Sequence, residues 1–547
     1  MIRYRMLPPR LLSQADCTGP PVPQRDERPT IFADRVGEWY VAQRSERHRK
    51  EHGLFLTPVD AAHFMAGWIN VKGHALRVLD PAAGAGVLCC AVVERLVEND
   101  QKPERIQLVA YEVDQDLIPL LMRVLGHLEK WCRAHQVVLA VRIEATDFVV
   151  ANAGALQAPL DLVPSITECD LFDVVISNPP YFKIGKNDFR SIAASCVVDG
   201  QPNIYALFMA VGAGLLRQHG DFIFITPRSF ASGRYFRRFR KVFFGMIRPM
   251  RVHVFESRRD AFSRDEVLQE NVILHGIRHD GWHRCEGNES VAISSSIGVR
   301  DMSTARSREI ETPTVIDYNS AEIVLRLATS ADAEAAIAHV DSWTNSLQGL
   351  GVRISTGPVV PFRATQLIAR VGDVPTSHVP LLWMSHVQSM RTTWPLDNHK
   401  PEYIARCGAG ALIVSNKNYV LIRRFSAKEQ TRRLTAAPYL AAEFAVPEVG
   451  IENHLNYIHR PGGTLSEDEA WGLAALFNSR LLDTYFRTVN GNTQVSATEL
   501  RAMPLPERNV IVGLGQRVKC LADPTIGLDK LAMELANGPR AAETRVG

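Results

Sequence analysis

The sequence predicts an α/β protein: a doubly wound, mostly parallel sheet followed by a C-terminal domain of mixed α and β. Three observations carry that expectation. Apolar, β-branched runs alternate with helical patterns from residue 77 to 227, as parallel sheets with crossover helices require. Acid or amide residues stand at the ends of successive runs, Asp80, Glu112, Asp147 and Asn178, where ligands of open α/β sheets bind. From about 341 the texture shifts to short β-rich pieces broken by Gly and Pro. The resulting division is 1–45, an arm and helix; 46–285, the sheet domain; 286–340, a connecting segment; 341–520, the second domain; and 521–547, a tail.

Residues 1 to about 30 are rich in Pro and Arg, and a helical pattern follows from Phe32 to Arg49. Thr57-Pro58 then reads as an N-cap and first helical residue, whose free N–H groups would seat a carboxylate. Arg77–Leu88 is strand, Gly-rich turn and helix, with Gly84 and Gly86 permitting close backbone approach to a ligand. It lacks the spacing of a dinucleotide turn and the Lys-Ser/Thr of a phosphate loop. Asp80, Pro81, Ala82 and the glycines instead suit a zwitterion needing an acceptor for its ammonium group. Ile106–Asp114 is the next strand, with Glu112 placed to hold ribose hydroxyls. After a helix over Leu117–Trp131 and a strand over Val137–Ile143, Asp147 can accept from an adenine amino group, with Phe148 alongside the ring. Each acid alone is as well read as a helix cap; three in succession favour a nucleoside site.

Asp173–Ser177 is a buried strand that must stop at Asn178, because Pro179 and Pro180 remove two donors and fix φ. The amide oxygen of Asn178 and the carbonyl of Pro179 can accept the protons of a planar amino group, and Tyr181 can stack on its ring. A polar stretch over Lys183–Gly200, a helix from Asn203 to about Gly220 and a fifth strand, Asp221–Pro227, follow. Arg228–Arg259 holds ten Lys or Arg and one acid, Glu256, interleaved with aromatics. Solvated faces usually mix signs, so a polyanion partner fits, with Arg234, Arg237, Arg238 and Lys241 on its phosphates. Val252–Phe255 and Asn271–Ile277 close a hairpin with Phe262 on the connection. Residues 280–338 read as polar, irregular and then helical. The second domain carries Arg423, Arg424, Lys428, Arg432 and Arg433, a helix over Glu467–Leu482, and the stretch Asn490–Val495, whose polar side chains could read base edges.

Composition sets outer limits. The 547 residues suggest two to four domains, and 46% hydrophobic with 22% charged residues describes an ordinary globular chain. A net charge of +3 names no partner. Nine cysteines without Cys-x-x-Cys or zinc spacing fit a reducing cytoplasm and no metal. The N-terminus has no signal-peptide core, and no run approaches the ~20 residues of a membrane span.

The order Thr-Pro, Asp-Pro-Ala-Ala-Gly-Ala-Gly, the Glu strand, Asp-Phe and Asn-Pro-Pro-Tyr resembles the γ-class DNA adenine-N6 methyltransferases of type II restriction–modification systems. The resemblance covers about 50–280 with specific motifs and 345–507 with weaker ones. It implies an S-adenosylmethionine-dependent methyltransferase domain and a C-terminal target-recognition domain acting on double-stranded DNA. It places the methionine end of the cofactor at Thr57, Pro58 and Asp80 to Gly86, the ribose at Glu112, and the adenine at Asp147 and Phe148. The flipped target adenine falls to Asn178, Pro179, Pro180 and Tyr181, with Phe262 or Phe255 as a second stacking ring. The implied protein is a cytoplasmic monomer without a membrane partner, and a separately encoded endonuclease shares its site.

Asn-Pro-Pro-Tyr also serves rRNA adenine and protein glutamine methyltransferases, which are generally shorter and lack so large a C-terminal domain. A silent DNA-binding module is disfavoured by the intact Asp80, Glu112, Asn178 and Tyr181. A fused nuclease lacks room before Thr57. Glu270-Asn271-Val272 matches a tripeptide of cytosine-C5 methyltransferases, but no cysteine here follows a proline.

Overall fold

The computed structural model describes residues 19–536 except 46, 49–56, 157–169, 258–269, 285–288, 319, 321, 370–376, 397–399, 427–429, 492 and 526. Phe262, Lys428 and the residues just before Thr57 therefore lie outside the described residues. Packing divides the chain into two units. The first holds the described residues up to Lys183 together with Asn203–Ile225; the second holds Ile184–Pro202 and the described residues from Thr226 onward. This division does not coincide with a boundary near 285.

The first unit runs α1 (Pro29–Ala42), α2 (Val59–Ala66), β1 (Ala75–Asp80), α3 (Val87–Val97), β2 (Arg105–Tyr111), α4 (Ile118–Ala134), β3 (Val138–Glu144), α5 (Phe148–Asn152), β4 (Phe172–Ser177), α6 (Ile204–Gly214) and β5 (Leu216–Pro227), whose last two residues belong to the second unit. Its strands lie in the order β3-β2-β1-β4-β5, all parallel, in the register Asp80↔Ala110, Val78↔Val174 and Val174↔Asp221. Val174, Val175 and Ile176 are fully buried, as a strand covered on both faces must be. The strand order reverses between β1 and β4, the place where open α/β sheets bind their ligands; Asp80 and Asn178 stand there. α6 ends at Gly214, and β5 begins five residues earlier than the expected Asp221. A side chain at Gly214 would meet the carbonyl of Ala155 at 2.7 Å, so only glycine fits there.

α1 is stitched to this unit through buried Glu94, which accepts from Thr30 N at 2.8 Å and from Arg28 Nε and Nη2 at 3.1 and 2.9 Å. Tyr40 donates to Asp114 at 2.5 Å.

The second unit contributes α7 (Arg237–Met246), β6 (Ile247–Phe255), β7 (Asn271–Arg278), β8 (Ser290–Ser296) and β9 (Ser307–Glu311), with the strands in the order β7-β6-β8-β9. β6 and β7 pair antiparallel, as the hairpin reading requires. β8 and β9 correct the reading of 280–338 as irregular. The serines hide a two-residue alternation in which Val291 and Ile293 are buried, and this segment extends the sheet. Further on, a four-stranded antiparallel sheet joins 353–356, 455–459, 419–423 and 436–439, and a mixed five-stranded sheet is built around 378–382 and 448–451. The expected helix Glu467–Leu482 breaks at Ser479, whose hydroxyl caps a new helix by accepting from Leu482 N at 3.2 Å. Among the described residues, no helix is long and apolar enough to cross a membrane.

Candidate active site

The first unit gathers Thr57, Asp80, Glu112, Asn178 and Tyr181 around the carboxyl ends of β1, β2 and β4. Asp80 ends β1 with no exposed surface. Its oxygens accept from Ala82 N at 3.1 Å, Ser177 Oγ at 3.3 Å and Cys89 Sγ at 3.4 Å. These donors brace the Gly-rich turn from within. The hydrogen bonds of the Asp80 carboxyl thus run to the turn, to β4 and to α3. Burial pushes its pKa up to about 7, which the three hydrogen bonds only partly oppose.

A group held near 7 when folded and at 3.8 when free has a signed consequence. Its stabilising contribution is fully present below the unfolded value and is lost as pH rises through about 7. We expect about 2 kcal/mol of unfolding free energy to disappear between pH 5.5 and 7 from this group. Asp80→Asn should flatten that part of the profile in denaturant titrations. Parallel profiles for the two proteins would contradict the assignment.

In the turn, Gly84 (φ +55°) has open space where a Cβ would stand, so a ligand can approach its backbone. Gly86 (φ +88°) is needed for a different reason, because a Cβ there would fall 2.9 Å from Leu121. Half-buried Glu112 follows β2. It accepts from Gly84 N at 2.9 Å on one oxygen and from Asp114 N at 2.8 Å on the other. Each oxygen keeps a further lone pair, the number a ribose diol needs. Burial raises its pKa. Asp147 caps α5 by accepting from Val150 N at 3.0 Å. The ring of Phe148 is 1% exposed, packed edge-on against Tyr111 at 5.1 Å and tilted against Phe208 at 5.3 Å. Phe148 also opens α5, so its ring anchors the start of that helix among Tyr111 and Phe208.

Thr57 is also reassigned. Pro58 is the N-cap of α2, and no side chain caps that helix. The Thr57 hydroxyl instead accepts from Asn178 Nδ2 at 3.1 Å. That bond fixes the amide's orientation and leaves Oδ1 as the acceptor. Asn178 is 9% exposed, and its Oδ1 takes a short hydrogen bond from the Tyr181 hydroxyl. Tyr181 also lies 2.9 Å from the carbonyl of Ile225. Its one proton can serve only one of the two acceptors at a time, and burial raises its pKa, so it stays a donor.

Sequence reading missed Ser177, which braces Asp80, and the pair Tyr40–Asp114, which holds the residue bonded to Glu112. An Asp two residues after Glu112 was the available signal for the latter.

In the second unit, Arg234, Arg237, Arg238 and Lys241 are exposed, while Phe230, Phe239, Phe243 and Phe244 form the buried face beneath. Arg240 and Arg228 do not belong to that basic surface. Arg240 donates to the carbonyls of Phe230, Gly233 and Glu322. Arg228 donates to those of Arg487 and Thr488 and faces Glu270. Four of the second domain's basic residues are likewise engaged internally: Arg423 with Val387, Arg424 with Asn453, Arg432 with Asp529, and Arg433 with Ser426 and Asn490. Phe255, the alternative stacking ring, is buried against His253.

Residues 29–193 match the N-6 DNA methylase family and 145–262 the Eco57I restriction-modification methylase family. The type II methyltransferase M.BsuBI of Bacillus subtilis is 32% identical over 476 residues, 86% of this chain and 91% of that protein. The chain belongs to the type II DNA N6-methyltransferases. Another member, M.PstI of Providencia stuartii, is 30% identical over 89% of this chain and 93% of its own length. The solved type IIG restriction endonuclease BpuSI overlays with a TM-score of 0.43 at 14% identity, covering 92% of this chain and 67% of that one. This methyltransferase is of the α/β class, as expected, with β3-β2-β1-β4-β5 all parallel.

Proposed function

We propose that this methyltransferase binds S-adenosylmethionine across the ends of β1 and β2 and methylates N6 of an adenine flipped out of a specific DNA duplex into the Asn178 site. The carrying observation is the pairing of Asn178 Nδ2 with Thr57, which leaves the amide oxygen aimed as an acceptor. The donor set suits the cofactor: a carboxylate with two spare lone pairs at Glu112 and an open backbone at Gly84. Pro81, Ala82 and Gly86 complete that turn, and Asp147 stands at the adenine end. S-adenosylmethionine supplies an electrophilic methyl on a sulfonium.

The chain's own work is positioning. The N6 lone pair of adenine is delocalised into its ring. When Asn178 Oδ1 and the Pro179 carbonyl accept hydrogen bonds from the two amino protons, the nitrogen is favoured in a pyramidal form with its lone pair aimed at the methyl group; the carbon–nitrogen bond would form as the carbon–sulfur bond breaks to leave a neutral thioether, and the surplus N6 proton would leave to solvent. Oriented dipoles in a site shielded from water carry the rate, and no covalent enzyme intermediate is needed. For the base to reach Oδ1, the Tyr181 hydroxyl turns away and donates to Ile225 O, while its ring stacks on the base. Pro180 holds the chain extended between the two. The duplex pays a few kcal/mol to release the base, offset by that stacking.

Arg234, Arg237, Arg238 and Lys241 take phosphates, and residues 341–520 select the sequence. Protein incubated with methyl-labelled S-adenosylmethionine and plasmid should place label in N6-methyladenine after nucleoside digestion; label confined to cytosine overturns the reading. Replacing Arg234 and Lys241 by alanine should lower the slope of log affinity against log salt by about 2, at about 0.9 per phosphate contact. The loss should be similar on cognate and random duplexes, and an unchanged slope removes these residues from the DNA surface.

A further inference from the structure

The segment 184–202 begins three residues after Tyr181 and ends just before α6. Its ends are tied together, with Ile184 N donating to Pro202 O at 3.1 Å. On its inward side Ile184, Ala194 and Val197 are buried, and Ser191 Oγ donates to Gly185 O at 2.8 Å. The short helix Phe189–Ala193 therefore has its local packing satisfied without Phe189 and Ile192. These two stand three residues apart, hence on one face, and are 59% and 63% exposed.

Tyr235, also 59% exposed, lies over Gly200 of the same segment, so closely that a Cβ there would fall 2.3 Å from its ring. Arg238 ties the segment to α7 by donating to Val198 O at 3.3 Å. The Arg190 guanidinium, paired with Asp188, lies 5.1 Å over the Phe189 ring. Among the described residues, the strongly exposed Phe and Tyr rings are Phe189, Tyr235 and Phe362; two of the three sit here.

A single exposed apolar side chain is ordinary. Two rings and an isoleucine on elements that also carry Lys186, Arg190 (paired with Asp188), Arg234, Arg237 (facing Glu322 at 3.9 Å), Arg238 and Lys241 are a different combination. It matches DNA in both chemistries, with phosphates outside and an apolar base stack within. We propose that Phe189 and Ile192 are a wedge that enters the base stack of duplex DNA and holds open the gap left by the flipped adenine. Their helix follows in the chain directly after the residues that receive that base. The inference rests on the base-flipping reading above.

The test uses the full-length protein and a duplex carrying the motif found methylated in cells that express it. One form is fully paired; the other places the target adenine opposite an abasic site. Phe189→Ala/Ile192→Ala should lose roughly ten- to a hundredfold in kcat/KM on the paired duplex. It should return to within about threefold of the parent on the pre-opened one, where little unstacking remains to be driven. Equal loss on both duplexes, or no loss on either, overturns the wedge. So does a drop from dimer to monomer in sedimentation without a difference between duplexes, which would assign the patch to a second copy of the chain. Asn178→Ala should fall by a hundredfold or more on both duplexes; full turnover on either would overturn the Asn178 reading itself, independently of the wedge.

Discussion

Asn178→Ala is expected to leave S-adenosylmethionine bound within a few-fold of the parent protein while methyl transfer falls by roughly a hundred- to a thousandfold, the usual effect of deleting one preorganised polar group at a reacting centre. The amide joins two functions in one side chain. Its nitrogen donates to Thr57, which fixes the plane, and its oxygen accepts a hydrogen bond from the Tyr181 hydroxyl in the resting state. Alanine removes the acceptor and leaves both partners without it, yet touches none of the groups around Glu112. Asn178→Asp keeps an acceptor, and the Thr57 hydroxyl can reverse to donate to it. At 9% exposure a carboxylate is costly to bury, so that variant should fall between alanine and the parent. Stopped-time transfer of labelled methyl to plasmid, paired with calorimetry of the cofactor, separates the two quantities. Full turnover by the alanine variant would remove Asn178 from the reaction.

Glu112→Ala should do the opposite and weaken cofactor binding by roughly two orders of magnitude, the loss of two hydrogen bonds to a charged acceptor. The carboxylate's present donors, Gly84 N and Asp114 N, hold it across the end of β2 and tie it to the Gly-rich turn. Each oxygen retains capacity for one ribose hydroxyl. Turnover at saturating cofactor should stay within a few-fold, because the Glu112 partners, Gly84 N and Asp114 N, are not those of Asn178, which are Thr57 and Tyr181. Glu112→Gln should lie between, since one of its two positions becomes a donor. Unchanged calorimetric affinity in the alanine variant would place the ribose elsewhere.

The parts of this site that the sequence made legible are those written in local chemistry. Two prolines end β4 after Asn178, a glycine pair turns the chain after Asp80, and an acid follows β2; each needs only neighbouring residues to be read. What stayed hidden depends on residues far along the chain. Pro58 suits both the N-cap and the first helical turn, so only the bond from Asn178, 121 residues away, shows what Thr57 does. The hydrogen bonds that Asp80 accepts from Ser177, 97 residues away, and from Cys89 were equally hidden.

Counting Lys and Arg could not separate exposed Arg234 from buried Arg228, whose partner carbonyl at Thr488 lies 260 residues away. Those same contacts bear on truncation. A fragment ending near Ala338 would lose the carbonyls that hold Arg228, so lost specificity in such a fragment would report lost folding as well as a lost reader. The serines of β8 concealed a strand because composition outweighed the alternation of Val291 and Ile293.

The central claim is that Asn178 presents an acceptor to an adenine amino group within one DNA sequence. Single-molecule sequencing of genomic DNA from a methylation-free host tests it most directly, comparing cells that express the parent chain with cells that express Asn178→Ala. The account predicts N6-methyladenine at nearly every copy of one short motif with the parent and at none with the variant. Unmodified adenine with the parent, or the same methylated motif with both, would contradict it.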